Sequence, residues 1–265
     1  MDRQWQNWKL TLAYDGSDFQ GWQVQPEFST VQGTLAEALE RVTGERVLPQ
    51  GSGRTDAGVH AEGQIASCQL RCSIPAANLQ RALNRILPAS VRVMRVEPAA
   101  ATFHARHSTR RKTYEYRVHC GAICPPPLAR YVHASPWALD GSAMNEAARL
   151  IIGEHDFTSF AATDGDVATR SRDLPVEQRN FVRHIYSSVW ESRDPELLVY
   201  RVEGSGFLHH MVRNLVGTFL DVGRGRRWVN SIPEILAARS RSAAGPTAPP
   251  NGLFLVHVSY EDMAL

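Results

Sequence analysis

A chain of 265 residues with 43% hydrophobic content can bury a sizeable core, as one large or two smaller domains. No apolar run approaches membrane-spanning length and residues 1–7 lack the apolar core of a signal peptide, so the cytoplasm is the expected compartment. The net charge of +2 is too small to announce nucleic acid. Yet Lys9 and Lys112 are the only lysines among 29 cations, leaving 27 arginines, whose planar forks suit phosphates and bases; codon bias in a GC-rich genome explains the ratio equally well.

Trp8 to Tyr14 reads as a strand, and Thr30 to Val42 as a helix with Leu35, Leu39 and Val42 at helical spacing behind a Ser/Thr cap. After a short apolar stretch around Arg46 to Leu48 comes Gly51-Ser52-Gly53-Arg54-Thr55-Asp56-Ala57-Gly58-Val59-His60. Here Arg54 and Asp56 are the large polar groups offered among residues with little side chain, a composition that suits chemistry and an ordinary solvated turn alike. A phosphate loop fails because Val59 and His60 stand where Lys and Ser or Thr are needed. A dinucleotide fingerprint fails because Asp56 takes the third glycine's place, so no nucleotide cofactor is expected.

A strand near Gln64 to Cys72 follows, with Ala66, Cys68, Leu70 and Cys72 on one face and polar groups on the other. The pairs Cys68/Cys72 and Cys120/Cys124 have a spacing that zinc sites sometimes use, but the alternation marks core thiols. A helix from Pro75 to Leu87, with Leu79, Leu83 and Ile86 on one side, and a strand from Val91 to Glu97 complete a β-α-β-β-α-β order, that of a ferredoxin-like unit. The boundary is expected near Ala105, giving domains 1–105 and 106–265.

The second half repeats the order: strand Thr113 to His119, helix Ser142 to Ile152, strands Val182 to Trp190 and Leu197 to Glu203, helix Phe207 to Val222, a short helix near Pro233 to Arg239, and strand Leu253 to Tyr260. The expected fold is α+β: two ferredoxin-like halves side by side, forming one broad, mainly antiparallel sheet with a central cleft. Tyr114, Tyr116 and Val118 share a face of their strand. At least one Tyr belongs to the core, while a Tyr beside the basic run Arg106, Arg110, Arg111 and Lys112 equally suits stacking on a base. Leu208, Val212, Leu215 and Phe219 form the buried stripe of the helix from Phe207, with His209 and Arg213 together on an adjoining flank, facing a cleft or solvent. The Gly204-Ser205-Gly206 lead-in suggests a close backbone approach. Further basic clusters at Arg224, Arg226 and Arg227 and at Arg170 and Arg172 fit a localised anionic partner or solvated faces.

Four segments carry a family resemblance: Ala13-Tyr14-Asp15-Gly16-Ser17-Asp18-Phe19-Gln20-Gly21-Trp22-Gln23, Gly53 to Ala61, His155-Asp156-Phe157-Thr158-Ser159-Phe160 and His210-Met211-Val212-Arg213-Asn214. With the closing block Ala248 to Leu255, they resemble the TruA type of tRNA pseudouridine synthase almost end to end. The resemblance implies a cofactor-free, metal-free isomerase that converts uridine to pseudouridine in the anticodon stem-loop of tRNA, at positions 38 to 40. It also implies a homodimer.

On this resemblance Asp56 matches the catalytic aspartate, acting through a covalent adduct or by removing a proton, and Arg213 the arginine that keeps it ionised and counts, with Tyr114 and Arg54, among the substrate-binding residues. Tyr114 matches the tyrosine that packs on the target base, and Arg54 the arginine that helps displace it from its stack. The segment Ala161 to Val182 is longer than the family pattern. A protein that binds RNA without turnover is the competing class, and Asp56 separates the two.

Overall fold

The computed structural model describes residues 5–162 and 180–260, so Arg170, Arg172 and most of the long 161–182 segment lie outside the described residues. The chain divides into two compact units, one running to Lys112 and including the residues from Phe254 onward, the other spanning Thr113–Leu253.

The first unit contains β1 (Gln6–Tyr14), α1 (Val31–Thr43), β2 (Gln50–Gly51), β3 (His60–Leu70), α2 (Ala76–Ile86) and β4 (Val91–Ala99). Its strands run β4-β1-β3 antiparallel, with Leu10 opposite both Ala66 and Val96. The two residues of β2 pair with the later part of β3, giving the strand order of a ferredoxin-like unit. Thr30 caps α1 by accepting from the Gly33 N–H, and Gly44 closes it in the left-handed region. Leu10, Leu12, Leu35, Leu39, Leu70, Leu79 and Leu83 are fully buried between helices and sheet, while Val42 and Ile86 are half-buried.

Several expectations need correction. β3 begins at His60 rather than Gln64, and from Gln64 to Cys68 it is buried on both faces, although Glu62 and Gln69 are exposed; on the face read as polar, Ser67 satisfies its hydroxyl internally, Oγ accepting from the Ala105 N–H at 3.1 Å. Cys68 is therefore a core thiol, its pKa pushed up to about 12 by burial, but Cys72 lies beyond the strand's end and is half-buried, as are Cys120 and Cys124. The last strand, β10 (Leu253–Ser259), was expected to close the second half. It pairs in parallel with β3, Phe254 opposite His60 and Leu255 opposite Ala61, so from Phe254 it counts with the first unit, and the division falls after Lys112 rather than Ala105.

The second unit is built from β5 (Arg111–His119), α3 (Pro126–Ala129), β6 (His133–Ala134), α4 (Gly141–Arg149), β7 (Gly153–Asp156), β8 (Val182–Asp194), β9 (Leu197–Gly204), α5 (Met211–Gly223) and α6 (Ser231–Ala238). Its strand order is β5-β9-β8-β7, with β6 parallel to β5. The mixed α+β class with mainly antiparallel pairing holds in each unit. The principal helix starts at Met211 rather than Phe207, because His210 sits in the left-handed region at φ 61° and ends the irregular lead-in. Leu208 and His209 thus precede the helix, and His209 does not share a helical flank with Arg213. Nearly all of α5 is buried; Arg213 and Asp221 are its half-buried residues.

β5 is also buried on both faces, and Glu115 is its exceptional residue. The carboxylate, 4% exposed, accepts from Arg193 at 2.5 Å and Arg201 at 2.7 Å on one oxygen and from Arg117 at 3.3 Å on the other. Burial raises its pKa, but Arg193 and Arg117 outweigh that and hold it below the ordinary 4.5. A depressed folded-state pKa means the clamp stabilises fully above the unfolded value and is lost as pH falls through the folded one. Glu115→Gln is expected to cost about 1–2 kcal/mol near neutral pH, allowing for the half-exposed Arg193 and Arg201, and to flatten the loss of stability below pH ~4.5. Denaturant unfolding stepped from pH 7 down to about pH 3 checks this; equal losses at every step would show that the clamp is not the acid-sensitive element.

Candidate active-site residues

The loop carrying Arg54 and Asp56 is held from beneath by polar side chains on the two strands beside it. Tyr14, at the end of β1, shares a 2.9 Å hydrogen bond with Thr55 Oγ1. Gln64 of β3 donates to the Gly53 carbonyl at 3.0 Å and to Tyr14 Oη at 3.4 Å, and accepts from Ser52 Oγ at 2.7 Å. All four side chains are buried. Burial pushes the Tyr14 phenol up to about 12, against smaller opposing effects from Thr55 and Gln64, so it stays neutral at physiological pH.

A second layer comes from residues 16–22, which lie along the loop. Trp22 N–H donates to the Thr55 carbonyl at 3.0 Å, Gly58 N–H to Phe19 at 3.3 Å, and Val59 N–H to the Asp56 carbonyl at 3.1 Å. Gly21 is required here: it holds φ 84°, and a Cβ would stand 2.5 Å from the Thr55 oxygen. The backbone on both sides of Asp56 is therefore fixed. Asp56 itself is half-buried, and Arg54 is exposed with its Nε donating to Gln23 at 3.2 Å. Lys112, read only as part of a basic run, reaches the same loop: a Cβ on Gly53 would lie 2.8 Å from its Nζ.

The second unit places Tyr114 and Arg213. Tyr114 is 7% exposed, and its ring meets the edge of Phe207 at 5.1 Å and 86°. Tyr116, fully buried, donates its hydroxyl to the Pro249 carbonyl at 2.9 Å, so it is the core tyrosine of that face. The Arg213 Nε donates to the Ala248 carbonyl at 2.7 Å, and the Ala248 N–H returns a bond to the Arg213 carbonyl at 3.1 Å. Next to it, Asn214 donates to the Phe160 carbonyl at 2.8 Å and accepts from Thr247 at 2.7 Å. Residues far apart in the chain, Phe160, Arg213 with Asn214, and Thr247 with Ala248, thus meet around the start of α5.

The basic cluster after α5 is partly structural. Arg227 pairs with Asp221 at 3.6 Å and donates to the Ala243 carbonyl, whereas Arg226 is exposed. What sequence reading missed is the support of the loop: Tyr14 and Gln64 carry no catalytic pattern. The available signal was a Tyr and a Gln embedded among apolar strand residues, next to the small-residue loop.

A family model described as tRNA pseudouridine synthase matches residues 11–108 and 147–261. The chain is 48% identical over 253 residues to tRNA pseudouridine synthase A of Solibacter usitatus, covering 95% of this chain and 98% of that protein. It is 44% identical over 254 residues to the protein of the same name from Moorella thermoacetica, with 95% and 98% covered. A solved H/ACA RNP bound to a substrate RNA containing 2'-deoxyuridine overlaps 80% of this chain and 44% of that one at 13% identity and a TM-score of 0.33, too loose a likeness to carry an argument.

Proposed function

The chain belongs to the tRNA pseudouridine synthase family and is an isomerase acting on tRNA uridine; on that premise we propose that its targets lie in the anticodon stem-loop, at positions 38 to 40. Asp56 is the catalytic residue. The bond between N1 of the base and C1' of the ribose breaks, the base turns, and C5 bonds to C1' while C5 gives up its proton and N1 gains one. The atoms are conserved, so neither a redox cofactor nor an activated water is required. An ionised carboxylate serves either as the nucleophile at the sugar or as the base that takes a proton.

Tyr114 packs against the target base, Arg54 helps displace it from its stack, and Arg213 completes uridine binding. A planar cation and an aromatic ring offset the few kcal/mol of stacking lost when a base is flipped. The observation that carries the reading is Asp56 itself, half-buried on a loop whose neighbouring backbone is fixed by hydrogen bonds at Thr55 and Val59. The enzyme works in the cytoplasm as a homodimer.

Mapping pseudouridine in tRNA from cells with and without the protein tests the target. Loss of pseudouridine from the anticodon arm alone is the expected result; an unchanged anticodon arm would overturn the assignment.

A further inference from the structure

Two buried side chains under the loop, Tyr14 and Gln64, have no part in the reaction as proposed, yet each bonds to the segment just before Asp56, which carries the buried Ser52 and Thr55. Tyr14 fixes the Thr55 hydroxyl, Gln64 fixes the Gly53 carbonyl and the Ser52 hydroxyl, and the Ser52 N–H donates to the Ile65 carbonyl at 2.7 Å. Their polar atoms are bonded to one another inside a region that apolar side chains would fill as well. Turning several polar groups inward is costly unless they are mutually satisfied, and a satisfied network defines one geometry more sharply than apolar packing does.

The network is also placed where geometry matters. Thr55 directly precedes Asp56 and is tied at both its side chain and its carbonyl, the latter through Trp22. Tyr14 ends β1 and Gln64 lies within β3, paired strands with Leu12 opposite Gln64. The rigid sheet therefore transmits its position to the loop through two side chains.

We infer that Tyr14 and Gln64 are positioning residues for pseudouridine formation, acting through Thr55 and Gly53 to hold the Asp56 carboxylate at its reacting distance. This rests on Asp56 being the catalytic residue. Tyr14→Phe retains the ring but leaves the Thr55 hydroxyl without its phenol partner, and the loop gains freedom next to Asp56. A misplacement of about 1 Å at a reacting group can cost ~10²-fold, so kcat is expected to fall by about 10- to 100-fold. KM and the dissociation constant for tRNA should change by less than about threefold, because the groups that meet RNA are untouched.

The enzyme is assayed on unmodified tRNA for kcat, KM and tRNA affinity, as wild type, Tyr14→Phe, Thr55→Ser, Thr55→Val and Asp56→Asn. Thr55→Ser keeps the hydroxyl and should stay within about twofold of wild type, whereas Thr55→Val should lose most of what Tyr14→Phe loses, because both remove the 2.9 Å bond and Tyr14→Phe forfeits in addition only the long 3.4 Å contact from Gln64; the double variant should be no worse than Tyr14→Phe alone. If Tyr14→Phe does not fold, the Thr55 pair decides alone. Equal kcat for Thr55→Ser and Thr55→Val overturns the inference, as does a loss that appears equally in tRNA affinity. An active Asp56→Asn would instead overturn the catalytic reading beneath it.

Discussion

Asp56→Asn is expected to reduce pseudouridine formation by at least about 10³-fold while tRNA affinity stays within a few-fold. Asparagine has nearly the volume of aspartate and keeps an acceptor oxygen, so the half-buried site stays filled. The bonds that shape the loop also survive: the contact from Val59 reaches the main-chain carbonyl of residue 56, and those from Tyr14 and Trp22 reach Thr55. What disappears is the negative charge. A neutral amide can neither attack the sugar nor accept a proton at physiological pH, so the substitution removes both candidate roles at once. Single-turnover rates on unmodified tRNA, beside tRNA binding, check it. A variant that retains more than about a tenth of the wild-type rate would sink the role given to Asp56. A parallel collapse of tRNA affinity would mean that the carboxylate serves binding instead.

Local patterns in the chain disclose most of the elements but not the polar interior. Leu35 and Leu39, or Leu79 and Leu83, report a helix because burying an apolar stripe is a local decision readable from spacing. The same logic assigns Glu115, Asn214 and Thr218 to the surface and gives no reason for a Gln at position 64 on an apolar face, yet all four are buried. Their partners are supplied by distant segments: Ser52 and Tyr14 for Gln64, Arg193 and Arg201 for Glu115, Phe160 and Thr247 for Asn214. Apart from Ser52 and Gln64, 12 residues apart, no short window along the chain contains both members. The start of α5 was misplaced for a different reason, since apolar spacing from Phe207 continues through a residue, His210, whose left-handed backbone breaks the helix. The parallel pairing of β10 with β3 joins residues nearly two hundred positions apart and likewise leaves no local mark. The Asp56 loop was legible because its composition is itself unusual; the side chains that fix it were not.

Gly217→Ala is expected to destabilise the protein by about 3 kcal/mol, at the upper end of ordinary overpacking, a fall of about 6–12 °C in Tm for a chain of this size. Helix α5 is buried almost all round, and residues 244–248 run across it closely enough that a Cβ at position 217 would stand 1.7 Å from the Pro246 oxygen. Backbone, not a flexible side-chain end, occupies that space, so the crossing segment must move. It is tied down along its length: Gly245 N–H to Thr218 Oγ1 at 2.9 Å, Thr247 Oγ1 to Asn214 at 2.7 Å, and Ala248 to Arg213 through both its N–H and its carbonyl. Displacing it breaks several buried bonds together and withdraws the carbonyl that orients the Arg213 guanidinium. Activity at temperatures below unfolding should therefore fall with stability. Gly141→Ala is the control, because nothing lies within 4 Å of a Cβ there and the residue sits in the first turn of α4; its effect should stay within about 0.5 kcal/mol. Calorimetry on the two variants decides the matter: equal transition temperatures would show that the helix and the crossing segment separate without cost, leaving Arg213 held by something other than Ala248.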